Sequence, residues 1–123
     1  MSANLFVYGT LRRGSRNRFA RFLAAHARFL GDARIAGRLY NLGRYPGATR
    51  ADALGEWVRG EAFRLDQPAK TLSALDAYEG PRFERSMARV HLASGIQLDA
   101  WVYFCAKRPP GPAMVSGAWP RRA

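Results

Sequence analysis

Carboxylates are scarce in this chain of 123 residues: nine Asp and Glu stand against twenty basic residues, for a net charge of +11. Lysine is nearly absent, since Lys70 and Lys107 are the only two and the remaining cations are arginines. The arginines are spread along the whole chain, densest at Arg12, Arg13, Arg16, Arg18 and Arg21. No zinc-finger, helix-turn-helix or RNA-recognition signature accompanies them, so they read as a solvated surface rather than a nucleic-acid site. A single cysteine, Cys105, excludes an internal disulfide framework and a cysteine-based metal cluster. Set in an apolar strand beside Phe104, it reads as a buried, inert thiol. Neither His26 nor His91 has a context that suggests a serine triad. No apolar run reaches about 18 residues, so no membrane-spanning helix is expected. No basic segment leads into an apolar one at the N-terminus, so a secretory signal is not expected and a cytoplasmic location is. Without repeats or a linker, residues 1–123 are expected to form a single domain.

What is present begins with Leu5-Phe6-Val7-Tyr8, a short apolar and aromatic run that predicts a buried strand. Gly9 ends it, either for a positive φ or for the close approach of another group. The loop Gly9 to Gly14 leaves several backbone N–H groups without ladder partners, which suits an anion or carboxylate. It has only two glycines and no Gly-Lys-Ser/Thr, so it is not a P-loop. Ser15 to His26 predicts a helix with Ser15 as N-cap and Phe19, Phe22, Leu23 and His26 on one stripe. His26 reads as a packed helix-end residue.

Phe29 to Leu42 alternates as one strand, with Ile35, Gly37 and Leu39 on one face. Gly43 to Gly47 reads as a turn and Ala48 to Asp52 as a short strand. Trp57 to Leu65 is a further strand, in which Gly60 signals a bulge or a close approach. Gln67 to Glu79 is the second helix, started by Asp66 and Pro68 and stopped by Gly80-Pro81. Phe83 to Leu92 and Ile96 to Lys107 are strands joined by a Ser94-Gly95 hairpin turn. The Pro- and Gly-rich tail from Arg108 onward can pack back through Met114, Val115 and Trp119. This order is not a βαβ alternation. It predicts an α+β domain, a compact, barrel-like mixed and largely antiparallel sheet with two main helices.

The second helix carries a carboxylate on its apolar face. At about 100° per residue, Glu79 falls above Leu72 and Leu75. Burial and the negative end of the helix dipole both push its pKa upward, which suits a general acid/base at neutral pH. Two alternatives stay open. Glu79 can pair with Arg82 or Arg85, and Asp76, near the same face, is the competing candidate.

Tyr8-Gly9-Thr10-Leu11 resembles the N-terminal motif of the gamma-glutamylcyclotransferase-like family, which includes the gamma-glutamylamine cyclotransferases. Leu75-Asp76-Ala77-Tyr78-Glu79-Gly80 is similar to the family's second hallmark, a helix end with the catalytic glutamate. Leu42 to Gly47, Phe83-Glu84-Arg85, Trp101 to Phe104 and Ser116 to Trp119 resemble further family segments in the same order. Phe83 and Ala118 depart from the family's usual tyrosine and aspartate. The resemblance implies cyclisation of a γ-glutamyl amine or γ-glutamyl amino acid to 5-oxoproline, with release of the amine. It implies Glu79 as the catalytic acid/base and Tyr8, Gly9, Thr10 and Leu11 as the substrate loop. The partner implied is a small γ-glutamyl molecule, with no cofactor and no metal. A binding member of the fold without turnover, or a basic nucleic-acid-associated protein, are the alternatives. Whether the protein is a monomer or a homodimer is left open.

Overall fold

The computed structural model describes residues 2–51 and 55–120. Its elements run β1 (Asn4–Val7), α1 (Arg18–His26), β2 (Ala27–Ala36), β3 (Arg38–Asn41), β4 (Pro46–Thr49), β5 (Trp57–Leu65), α2 (Pro68–Glu79), β6 (Phe83–Leu92) and β7 (Gln97–Cys105), with a single 3₁₀ turn, Gly80–Arg82, between α2 and β6. The sheet runs β1-β5-β2-β6-β7-β4-β3, and β1 also pairs with β7. That extra pairing, Leu5 opposite Trp101 and parallel, closes five strands into a barrel. The β3–β4 hairpin continues the β7 edge beyond the point where β1 leaves it, through a parallel pairing of Ala48 with Phe104. The expected α+β barrel-like architecture with two helices is present.

The alternation of side chains sorts the core into two clusters. Phe6, Ile35, Leu39, Val58, Ala62, Val90, Val102 and Phe104 fill the barrel interior. Leu5, Val7, Phe63, Leu65 and Tyr103 point outward and are covered by Leu23 of α1 and by Leu72 and Leu75 of α2. Strand β1 is therefore buried on both faces, which is why it reads as a continuous apolar run instead of an alternation.

Several local details depart from the sequence reading. The first helix is capped by Asn17, not Ser15: the Asn17 backbone is extended and its side chain accepts the Phe19 N–H at 2.8 Å. Ser15 instead accepts the Asn17 N–H at 3.2 Å. His26 is exposed and only leans on Phe22, with ring centroids 4.7 Å apart. Phe29 to Leu42 is two strands, because β2 pairs with β5 whereas β3 pairs with β4. Strand β4 starts at Pro46, inside the expected turn, and Asp52 of the expected short strand lies outside the described residues. The bulge is in β2, between Phe29 and Gly31, and not at Gly60. At Gly60 it is the close approach that applies, since a Cβ there would overlap the Val7 carbonyl oxygen. In the tail, Met114 and Trp119 pack on the barrel cluster, but Val115 is exposed.

Candidate active site

A cavity of about 390 Å³ opens between the loop after β1, the β3–β4 hairpin and the end of α2. It is lined by Tyr8, Gly9, Thr10 and Leu11 on one side and by Glu79 on another, so the two segments singled out in the sequence face one space. Asn17, Arg44, Tyr45, Pro46, Tyr78, Phe83 and Tyr103 complete most of the wall.

The loop has an unusual set of backbone groups. Gly9 offers its carbonyl to the Arg12 N–H at 3.2 Å and to the Arg12 Nε at 3.1 Å. The N–H groups of Gly9, Thr10 and Leu11 donate to no group among the described residues. Gly9 does not have a positive φ. Its lack of a side chain serves a close approach, because a Cβ would stand 2.8 Å from Cγ of Pro46. Gly9 and Pro46, both in the cavity wall, thus pack closely where the loop meets the hairpin. Beyond the loop, the Arg13 N–H donates to the buried Glu61 at 2.7 Å.

Tyr8 has its ring in the cavity wall but its hydroxyl in the sheet. The phenol donates to the Tyr103 carbonyl at 2.5 Å and accepts the Ala48 N–H at 3.1 Å. It fills the gap in the β7 edge between the last residue of β1 and the first pairing of β4. Burial pushes its pKa well up, so it stays a neutral bridge.

At the end of α2, Glu79 and Asp76 separate into different environments. Asp76 accepts two hydrogen bonds from Arg85, at 2.8 and 3.1 Å, and a third from the Tyr103 hydroxyl at 2.7 Å. The Arg85 guanidinium holds its pKa below the usual aspartate value. Arg82 is engaged elsewhere, donating to the Tyr45 hydroxyl. Neither arginine reaches Glu79, whose carboxyl has no hydrogen bond or ion pair among the described residues. Burial alone pushes its pKa from 4.5 to about 7. Of the two carboxylates near this helix end, one is fixed as an anion and the other is poised to exchange a proton near neutrality.

Sequence reasoning did not identify Tyr103, Asn17, Arg44 or Tyr45 as cavity residues. Arg44 and Tyr45 lie in a segment whose turn signals were visible, but nothing local says that the turn faces the loop after β1. The two departures differ in position. Phe83 lines the cavity, whereas Ala118 does not and its N–H is taken by Ser116. Cys105 is only half-buried, lies beside Gly47, and burial pushes its thiol upward.

Residues 5–121 match the model of the family described as gamma-glutamyl cyclotransferase, AIG2-like. Gamma-L-glutamyl-butirosin B gamma-glutamyl cyclotransferase of Niallia circulans is 33% identical over 108 residues, 81% of this chain but only 65% of that protein's length. A gamma-glutamylcyclotransferase-family protein of Vibrio cholerae is 31% identical over 121 residues and is matched over 96% of both chains. Among solved structures, a mouse AIG2-like protein superposes with a TM-score of 0.72 at 28% identity, over 88% of this chain and 80% of that one. YkqA of Bacillus subtilis superposes with a TM-score of 0.76 at 27% identity, and the chain spans 40% of its length. By sequence over nearly its whole length, and by fold, the chain belongs to the gamma-glutamyl cyclotransferase, AIG2-like family.

Proposed function

We propose that this protein is a cofactor-independent cyclotransferase that converts a γ-glutamyl compound to 5-oxoproline and a free amine. The observation that carries the proposal is the unpartnered Glu79 carboxyl, with its pKa pushed up to about 7, in the same cavity as three uncommitted N–H groups. In this reading Glu79 takes a proton from the substrate α-ammonium group, which frees the amine to attack its own γ-carbonyl. A C–N bond forms to close the five-membered ring, and the γ-amide C–N bond breaks. Glu79 returns its proton to the departing nitrogen, acting first as base and then as acid. The second proton shed by the attacking nitrogen leaves with the released amine as its ammonium ion, so the lactam keeps one N–H. The N–H groups of Gly9, Thr10 and Leu11 hold the substrate carboxylate or the oxyanion that develops at the γ-carbonyl. A cavity that folds the substrate back on itself supplies the proximity an intramolecular attack needs.

The test is 5-oxoproline release from a panel of γ-glutamyl amines, γ-glutamyl amino acids and glutathione, with Glu79→Gln beside wild type. Product from wild type and a loss of roughly 10²-fold or more in the variant is expected. Equal turnover by Glu79→Gln would overturn the role given to Glu79. One observation favours a second reading, a binding protein without turnover: Phe83 brings no hydroxyl to the cavity. Calorimetric affinity for a γ-glutamyl ligand with no product released would decide for it.

A further inference from the structure

The cavity's polar groups constrain what leaves. Most are already committed. The hydroxyls of Tyr8 and Tyr103 serve the Tyr103 carbonyl and Asp76. Asn17 caps α1 and donates to Tyr78 at 2.6 Å, and the Tyr45 hydroxyl accepts from Arg82. The groups left for a ligand are the loop N–H groups, the Thr10 hydroxyl, the O–H donors of Tyr45 and Tyr78, Glu79 and the guanidinium of Arg44, the one cation among the lining residues. Arg44 lies on the β3–β4 hairpin, exposed at the mouth, and has no ion pair or hydrogen bond among the described residues. Glu79 is the only carboxylate among the lining residues, and the proposed chemistry occupies it.

We propose that the released amine carries a carboxylate, as an amino acid or peptide does, and that Arg44 is the specificity-determining residue that receives it. This rests on the cyclotransferase reading. The two negative charges of such a substrate then have two separate receivers: the N–H loop at the glutamyl end and the Arg44 guanidinium at the leaving end. A guanidinium matches a carboxylate in bidentate geometry. A leaving amine with a second positive charge would meet Arg44 with no counter-charge in the wall beyond Glu79, a like-charge contact that works against binding.

The experiment compares γ-glutamyl-alanine with γ-glutamyl-ethylamide, which differ only by the carboxylate, and adds the mono-γ-glutamyl amide of 1,4-diaminobutane. Wild type is expected to prefer γ-glutamyl-alanine by roughly tenfold or more in kcat/KM, with the diamine derivative poorest. Arg44→Gln is expected to bring the alanine-to-ethylamide ratio close to one, mostly through KM, and Arg44→Lys to restore part of it. Product from all three substrates without discrimination, or a ratio that survives Arg44→Gln, would overturn the role of Arg44 and leave the cyclotransferase reading standing. No 5-oxoproline from any of the three, nor from the wider panel, would overturn both.

Discussion

Glu79 gives the site a pH signature that differs between activity and stability. Its carboxyl is raised from 4.5 to about 7 by burial. A general base must start deprotonated, so kcat/KM is expected to rise with pH along an acid limb centred near pH 7 and to flatten above it. Stability runs the other way. The folded protein binds more protons than the unfolded chain between these two values, so this group's contribution to stability is fully present below pH 4.5. It is lost as pH rises through about 7. The change amounts to about 3 kcal/mol at most. Glu79→Gln, which cannot ionise, is therefore expected to exceed wild type in urea-unfolding stability at pH 8, with the gap narrowing toward pH 5. A gap independent of pH would mean that Glu79 is not desolvated. Asp76 has the opposite sign: held low by Arg85, it contributes stability above its unfolded pKa that is lost as pH falls through its folded one. The oddity of Glu79 was legible because a carboxylate on the stripe of Leu72 and Leu75 conflicts with the helical pattern. Its lack of a partner was not legible. Arg82 and Arg85 were equally available in sequence, and only the course of β6 past α2 gives Arg85 to Asp76.

Strands and loops in this fold hold their places through a few backbone junctions, and two of these are open to test. Tyr8→Phe keeps the packed ring but strips the bridge between β4 and β7, leaving the Ala48 N–H and the Tyr103 carbonyl unpaired in the buried gap. A loss of about 1–3 kcal/mol in urea-unfolding free energy is expected, and an unchanged midpoint would mean that the gap closes on its own. Gly60→Ala is expected to be more damaging. Its Cβ would overlap the Val7 carbonyl oxygen and come within 2.7 Å of the Phe6 ring. Because a strand backbone cannot yield as a side-chain tip can, a thermal midpoint lowered by many degrees, or loss of soluble folded protein, is expected. Elements with strong local patterns were read nearly as they are: Trp57 to Leu65, Phe83 to Leu92, and the helix opened by Pro68 and closed by Gly80. The β2–β3 boundary was not legible because alternation passes unbroken through Gly37, which is needed where a Cβ would meet the Thr49 carbonyl at 2.6 Å. The start of β4 was missed for the reverse reason. Pro46-Gly47 carries turn chemistry locally, yet proline is tolerated as the first residue of a strand and Gly47 admits the Cys105 thiol.

Across the whole molecule, arginine outweighs acid so heavily that screening should act in an unusual direction. Ion pairs among the described residues include Arg13–Glu61, Arg38–Glu56, Arg85–Asp76 and Arg89–Asp99. They leave many cations unbalanced against a net charge of +11. Some stand directly opposite each other: Arg34 faces Arg59, and Arg28 faces Arg64, across the β2–β5 ladder. Like charges in that position are destabilising. Cation–π contacts such as Arg34 over Trp57 at 4.0 Å offset part of the repulsion without removing charge. Exposed ion pairs are worth little each, whereas the self-repulsion of a strongly basic chain is summed over all its charges. Raising sodium chloride from about 10 to 300 mM shortens the screening length from roughly 30 Å to well under 10 Å. The thermal midpoint is therefore expected to rise by a few degrees instead of falling. Arg59→Glu, which turns one opposed pair into an attractive one, should reproduce part of that rise at low salt and reduce the further gain from added salt. A midpoint that falls with salt would mean that the ion pairs, and not the net charge, dominate the electrostatics of the fold.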